Sequence, residues 1–314
     1  MQKTRLLLRE ALSPLYEPRE VNAIIRMLLE EICSLSYTQI VMWGDDPLPE
    51  PQALRLAECA RLLSQGIPVQ QVLGYTWFRG RRFSVNEHVL IPRPETEELV
   101  DKVVNNFGTT TQNTSGSPVD NPVYNLVDIG TGSGCIALSL AAEIHSALIT
   151  AVDLSTEALM TAKENAKSLG LSNVRFVQAD ILREEYEDFS TELSTPGGTD
   201  INNASTLSPR CWDAIVSNPP YICHKEAVDI SANVLEHEPH LALFVPDDDP
   251  LLFYRAIARY GTRHLKPGGG LYFEINAAYG TETCHLLEEI GYTGIELHQD
   301  FTGRDRMVTA RYDC

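Results

Sequence analysis

From residue 123 onward, short apolar runs alternate with stretches of helical spacing. The runs at 123–129, 148–152, 174–177, 214–217 and 271–275 are brief and rich in branched residues, which predicts buried strands. Helical stretches such as 156–169 lie between them. Near-continuous apolar strands separated by helices predict an α/β fold, a mostly parallel sheet covered on both faces. A last run at 307–311 follows a turn-rich stretch and predicts an antiparallel closing strand.

The first 72 residues keep a different period. Ile24/Leu28 and Ile25/Leu29 form i,i+4 pairs downstream of Pro18, a residue suited to a first helical position. A second helix over 51–65 pairs Leu56 with Ala60 and Leu63 and stops at Gly66 and Pro68. These stripes predict a small helical domain over 1–72. A β-hairpin around Arg79-Gly80-Arg81 follows in a linker over 73–95, and the sheet domain occupies 96–314. The run Arg93-Pro94-Glu95-Thr96-Glu97-Glu98 opens a helix with acids in its first turn. Its place beside the hairpin makes it a candidate pocket wall. Stretches 109–122 and 191–209 are polar and lack residues to pack, so they read as flexible insertions without assigned function.

Composition removes several classes. The 314 residues and 34.9 kDa leave room for two domains. Acids outnumber bases 43 to 25, for a net charge of −18, which argues against a stable nucleic-acid partner. The local basic candidate is Arg79, Arg81 and Arg82. No stretch approaches the ~20 apolar residues of a membrane span, and the N-terminus lacks a secretory core. Seven cysteines without a Cys-x-x-Cys pair suit reduced thiols, and the expected location is the cytoplasm. Cys223-His224 and Cys284-His285 lack ligand spacing, so no metal is expected.

Two segments carry chemistry. Ser217-Asn218-Pro219-Pro220-Tyr221-Ile222 directly follows the apolar run 212–216. Consecutive prolines end the ladder and hold the backbone extended, with carbonyls turned outward. The Asn218 side chain and the Pro219 carbonyl can accept both hydrogens of a planar nitrogen, and Tyr221 adds a flat face. By itself the segment also fits a strand-ending turn. The second segment is the loop Asp128-Ile129-Gly130-Thr131-Gly132-Ser133-Gly134. A dinucleotide fingerprint requires glycine at 135, where Cys135 stands. Asp153 ends the second strand, where a carboxylate can hold ribose hydroxyls. Residues 178–181 end the third, where Asp180 and Ile181 can grip and cover an adenine. Asp128 is placed to attract an ammonium. Acids without a phosphate-binding lysine favour a cationic nucleoside, S-adenosylmethionine, over a dinucleotide. In doubly wound sheets the first and fourth strands are neighbours, so the glycine loop and Asn218 are expected to share one crevice.

Together these residues resemble the protein-(glutamine-N5) methyltransferases of the HemK/PrmC type, which modify class I peptide-chain release factors. The likeness covers nearly the whole chain. It is carried by Phe78-x-Gly80 and Phe83, Val89-Leu90-Ile91-Pro92-Arg93-Pro94-Glu95-Thr96-Glu97, the 128–134 loop, Asp153, the 217–222 segment, Glu238-Pro239 and Gly303-Arg304-Asp305-Arg306. Asn-Pro-Pro-Tyr is shared with adenine-N6 methyltransferases, whereas Ile-Pro-Arg-Pro-Glu-Thr-Glu is more particular. Gln71, where many members carry Tyr, and the two polar inserts depart from the pattern away from the chemistry.

The resemblance implies a seven-stranded, Rossmann-like class I methyltransferase domain and methylation of the glutamine in a Gly-Gly-Gln loop, with S-adenosylhomocysteine as product. It implies catalytic roles for Asn218, Pro219 and Tyr221. Cofactor contacts are implied for Asp128, Gly130, Thr131, Gly132, Ser133, Gly134, Asp153, Asp180, Ile181 and Asn218. Arg93, Glu95 and Pro220 join Asn218, Pro219 and Tyr221 against the substrate, and a monomer is expected. Glu274, near the end of the fifth strand, reads as structural with a capacity to assist. Two other readings stay open. One is an adenine-N6 methyltransferase of DNA or RNA, which requires a base outside its stack. The other is a binding module with a dead crevice.

Overall fold

The computed structural model describes residues 2–42, 47–108, 123–183 and 211–314. The polar stretches expected at 109–122 and 191–209 lie outside them. Packing divides the chain into two units, Met1–Tyr75 with Asp229–Glu238, and Thr76–Val228 with Pro239–Cys314.

The first unit contains α1 (Gln2–Leu12), α2 (Pro18–Cys33), α3 (Tyr37–Met42), α4 (Glu50–Leu63) and α5 (Val69–Leu73). Pro18 opens α2, where its missing N–H leaves no helical bond unmade. The stripe Val21, Ile24, Ile25, Leu28 and Leu29 faces Leu8 and Leu12 of α1 and Leu56 and Leu63 of α4. Each fully buried leucine stabilises this core by roughly 1.5–3 kcal/mol. The segment Asp229–Glu238 belongs to this unit despite its distance in sequence. Asn233 Nδ2 donates to the Tyr16 hydroxyl at 3.1 Å, and Gln71 Nε2 donates to the His237 carbonyl at 2.9 Å. Gln71 therefore ties this segment to the helices.

The second unit opens on the hairpin β1 (Tyr75–Phe78) and β2 (Arg81–Ser84). Its turn residues, Arg79 (φ 49°) and Gly80 (φ 69°), are both left-handed, as a two-residue hairpin turn of matching twist requires. Arg79 tolerates this because its N–H donates to Glu97 Oε1 at 2.9 Å while its guanidinium reaches Glu143 at 2.6 Å and Asp101 at 2.7 Å. Arg81 also pairs with Glu143, at 2.8 Å. Two of the three arginines in the expected basic cluster are thus neutralised by acids and hold the hairpin down. Phe78 and Phe83 meet edge to face and enter the core beside Leu99, Val100 and Val103 of α6 (Pro94–Phe107).

The chain continues through β3 (Tyr124–Ile129), α7 (Cys135–Glu143), β4 (Ala147–Asp153), α8 (Thr156–Leu169), β5 (Val174–Gln178) and β6 (Trp212–Ser217). Next come β7 (Ile222–Cys223), α9 (Ala232–His237) within the segment already described, α10 (His240–Leu243) and β8 (Phe244–Val245), which pairs with β7. The chain ends with α11 (Leu252–His264), β9 (Leu265–Glu274), α12 (Gly280–Ile290), β10 (Thr293–Gln299) and β11 (Asp305–Tyr312). Seven strands form one sheet in the order β10-β11-β9-β6-β3-β4-β5, parallel except for β11 against its two neighbours. Alternate residues bury opposite faces, so Leu126 packs into one core and Val127 into the other.

Two strands depart from the sequence pattern. β10 is half exposed, so it carries no apolar run and was not among the predicted strands. β9 begins at Leu265 rather than 271, since Trp212 pairs with Leu265 and Ala214 next with Gly270. The intervening Lys266-Pro267-Gly268-Gly269 shifts the register, and its proline and glycines interrupt the apolar run. Among the described residues no helix is long and apolar enough to cross a membrane.

Candidate active site

The strand order reverses at β3, with β4 on one side and β6 on the other. Asp128 of β3 lies opposite Val216 of β6, and the Ser217 hydroxyl donates to the Ile129 carbonyl at 2.6 Å. The loops that follow therefore leave the sheet side by side. Between them lies a cavity of about 470 Å³, a size suited to a small-molecule cofactor. Its walls include Gly130–Ser133, Asp153, Asp180, Ile181 and Asn218–Pro220. The glycine loop and the proline segment thus share one crevice. Residues 87–90, 92, 93 and 96 close another side.

Within the loop, Gly130 (φ 77°) and Gly132 (φ 54°) have open space where a side chain would project. Gly134 serves packing, because a Cβ there would sit 3.1 Å from Ala162 Cβ and Leu138 Cδ1. Asp153 accepts from the Gly132 N–H at 2.8 Å and the Ser155 N–H at 2.9 Å, which fixes the loop against the end of β4. Burial raises its carboxyl above the usual range. Asp128 lies wholly buried behind the loop and does not line the cavity. Its Oδ2 accepts from the Thr131 hydroxyl at 2.7 Å and the Ala137 N–H at 3.1 Å, while Oδ1 has no partner. Burial pushes this carboxyl up to about 7 against the pull of those two hydrogen bonds.

An open glycine cradle, a cavity-lining carboxylate at Asp153 and an orphaned buried carboxylate oxygen at Asp128 behind the loop fit a cationic nucleoside. Among the described residues no group of three or more His, Cys, Asp or Glu is arranged to hold a metal.

At the end of β6, Asn218 is half buried and Pro219 buried. Asn218 Nδ2 donates to Thr96 Oγ1 at 3.3 Å. Among the described residues nothing donates to Asn218 Oδ1 or to the Pro219 carbonyl, so two acceptors stand free on residues that line the cavity. Tyr221 is not in the cavity wall. Its phenol donates to Glu274 Oε1 at 3.2 Å, and burial, with the Glu274 charge, raises its pKa well above the ordinary tyrosine value. Arg93 lines the cavity whereas Glu95 does not. Thr96 was not singled out for the site by the sequence, and Glu274 only as a structural acid with a capacity to assist, yet the Thr96 hydroxyl donates to Glu274 Oε2 at 2.6 Å and accepts from Asn218. Their signal was present, in a threonine inside the Arg-Pro-Glu-Thr run and an acid at a strand end. Only the packing of α6 against β9 brings the two together.

Two family models match the chain, a PrmC N-terminal domain over residues 4–74 and a methyltransferase domain over 120–274. A release factor glutamine methyltransferase of Flavobacterium psychrophilum is 39% identical and aligns over 96% of both chains. One from Bacteroides thetaiotaomicron is 38% identical over 99% of both, and one from Bacillus subtilis is 34% identical over 93% of this chain and 91% of its own.

Proposed function

This chain belongs to the release factor glutamine methyltransferase family, and we propose that the edge formed by Asn218 and Pro219 is where it receives the reacting glutamine. It transfers a methyl group from S-adenosylmethionine to the glutamine side chain of a release factor. The glutamine we assign is that of the Gly-Gly-Gln loop of class I factors, and we place the reaction in the cytoplasm. One observation carries the assignment of the edge: two unengaged acceptors stand on cavity-lining residues beside the glycine loop.

When bound, S-adenosylmethionine supplies an electrophilic methyl carbon on a sulfonium and leaves as S-adenosylhomocysteine. On this reading Gly130, Thr131, Gly132 and Ser133 shape its cradle, with Gly134 packing the turn behind them, Asp153 takes the ribose hydroxyls, and Asp180 and Ile181 flank the adenine. Asp128 supplies negative charge behind the loop for the ammonium. The chain's remaining task is to make an amide nitrogen reactive. That nitrogen shares its lone pair with its carbonyl, so it must be oriented and polarised. Asn218 Oδ1 and the Pro219 carbonyl each accept one of its two hydrogens. This concentrates electron density on nitrogen and turns it toward the cofactor cradle. Each bond to a group gaining charge contributes about 1.5–3 kcal/mol. Fixed orientation adds up to roughly 7–11 kcal/mol in ideal cases. Pro220 keeps the edge rigid, and Tyr221 holds it from below. Arg93 and Glu95 are assigned to the factor's loop. Transfer leaves the nitrogen cationic with both hydrogens still on it, and this N-protonated amide is strongly acidic, so one proton passes to water and the neutral N-methyl amide remains.

Labelled methyl donor distinguishes this reading from an adenine-N6 activity. Incorporation is expected into a release factor and not into DNA or RNA oligonucleotides. Label appearing in nucleic acid alone would overturn the assignment.

A further inference from the structure

Thr96 is 2% exposed in the first turn of α6, a position where a threonine hydroxyl ordinarily finds water or its own helix. Its hydroxyl instead crosses to the sheet and donates to Glu274 Oε2 at 2.6 Å. A hydroxyl has one proton. With that proton committed, only a lone pair of Thr96 Oγ1 faces Asn218, 3.3 Å away. The Asn218 nitrogen satisfies that lone pair; the reversed carboxamide would set oxygen against oxygen. From this we infer that Thr96 is a positioning residue that locks the Asn218 carboxamide with Nδ2 inward and Oδ1 presented to the substrate nitrogen.

Glu274 anchors the relay. It is buried, its second oxygen accepts from Tyr221, and the Arg306 charge acts on it. The relay spans β9, α6 and the loop after β6, so the Ile-Pro-Arg-Pro-Glu-Thr-Glu run acts on the reacting edge through a side chain that need not touch the substrate. A flipped Asn218 would point a donor at a donor and leave the substrate nitrogen without one of its two acceptors. The inference rests on the role proposed above for Asn218.

Full-length Thr96→Val and Thr96→Ser test it, because valine keeps the shape without the hydroxyl and serine keeps the hydroxyl. Thr96→Val is expected to lower kcat about 10- to 100-fold, the loss of one such hydrogen bond. KM for the release factor and calorimetric affinity for S-adenosylmethionine stay within about twofold, as loss of an interaction made only in the transition state requires. Thr96→Ser retains kcat within about threefold. Unchanged turnover in the valine variant, or equal losses in both, overturns the relay. A second measurement does not depend on turnover. In unliganded wild-type protein, isotope-labelled Asn218 side-chain amide protons are expected to exchange slowly with solvent by NMR, and fast exchange there overturns the relay even if the valine variant does not fold. A wild-type protein that methylates no release factor defeats the functional reading alone, while slow amide exchange still upholds the Thr96 lock.

Discussion

Asn218 binds Thr96 through its nitrogen and lines the cavity with its oxygen unengaged among the described residues, so one side chain joins the buried relay to the proposed reacting edge. Asn218→Ala will reduce methyl transfer about 10- to 100-fold or more, the loss of one hydrogen bond that strengthens in the transition state. Calorimetric affinity for the methyl donor will remain measurable, and near-normal turnover would reject the cradle. Asp128 makes a prediction in pH. Its folded-state carboxyl is pushed up to about 7, well above the unfolded aspartate value of 3.8. The protonated form is therefore the one that stabilises the fold, fully so below the unfolded value, and this contribution is lost as pH rises through about 7. Ligand-free protein will melt at a lower temperature at about pH 8 than at about pH 6. Asp128→Asn will flatten that slope without abolishing it, since burial raises Asp153 and Glu274 in the same direction. An equal slope in the variant would contradict the buried-carboxyl account.

The glycine loop between β3 and α7 separates binding from folding within a few residues. Gly132→Ala meets no neighbour, so its fold cost is only that of a left-handed alanine, about 1 kcal/mol. Its larger effect will be on cofactor affinity, read by calorimetry. Gly134→Ala adds close contacts with Ala162 and Leu138 to the same backbone strain. Thermal melts will therefore show the greater loss at 134 than at 132, and the reverse order would refute this division. Such distinctions were only partly legible in the sequence. The central parallel strands β3, β4 and β6 announced themselves because burial on both faces makes them nearly continuously apolar, and α8 matched its expected span. β10 stayed hidden because an edge strand needs no apolar run. Thr96 stayed hidden for another reason: a hydroxyl's direction depends on which strands lie beneath it, and local spacing does not encode that.

Across the whole molecule, the least legible feature is the return of Asp229–Glu238 to the helical unit. Nothing in its composition marks it, since its hydrogen bonds reach residues far apart in sequence, among them Tyr16, Gln65 and Gln71. Gln71→Ala will speed amide hydrogen exchange across 229–238 while leaving the central strands protected. Uniform exchange changes would show that the segment is held by something else. The acidic balance, by contrast, was readable at once and agrees with a protein substrate rather than a phosphate backbone. The central claim is that the crevice between β3 and β6 methylates a side-chain carboxamide. Tandem mass spectrometry of a release factor incubated with the protein and S-adenosylmethionine tests it most directly. The account predicts a gain of one methyl group on the amide nitrogen of the Gly-Gly-Gln glutamine, formed far more slowly with Asn218→Ala. A methyl group on any other residue, or an unmodified glutamine with the wild-type protein, would contradict it.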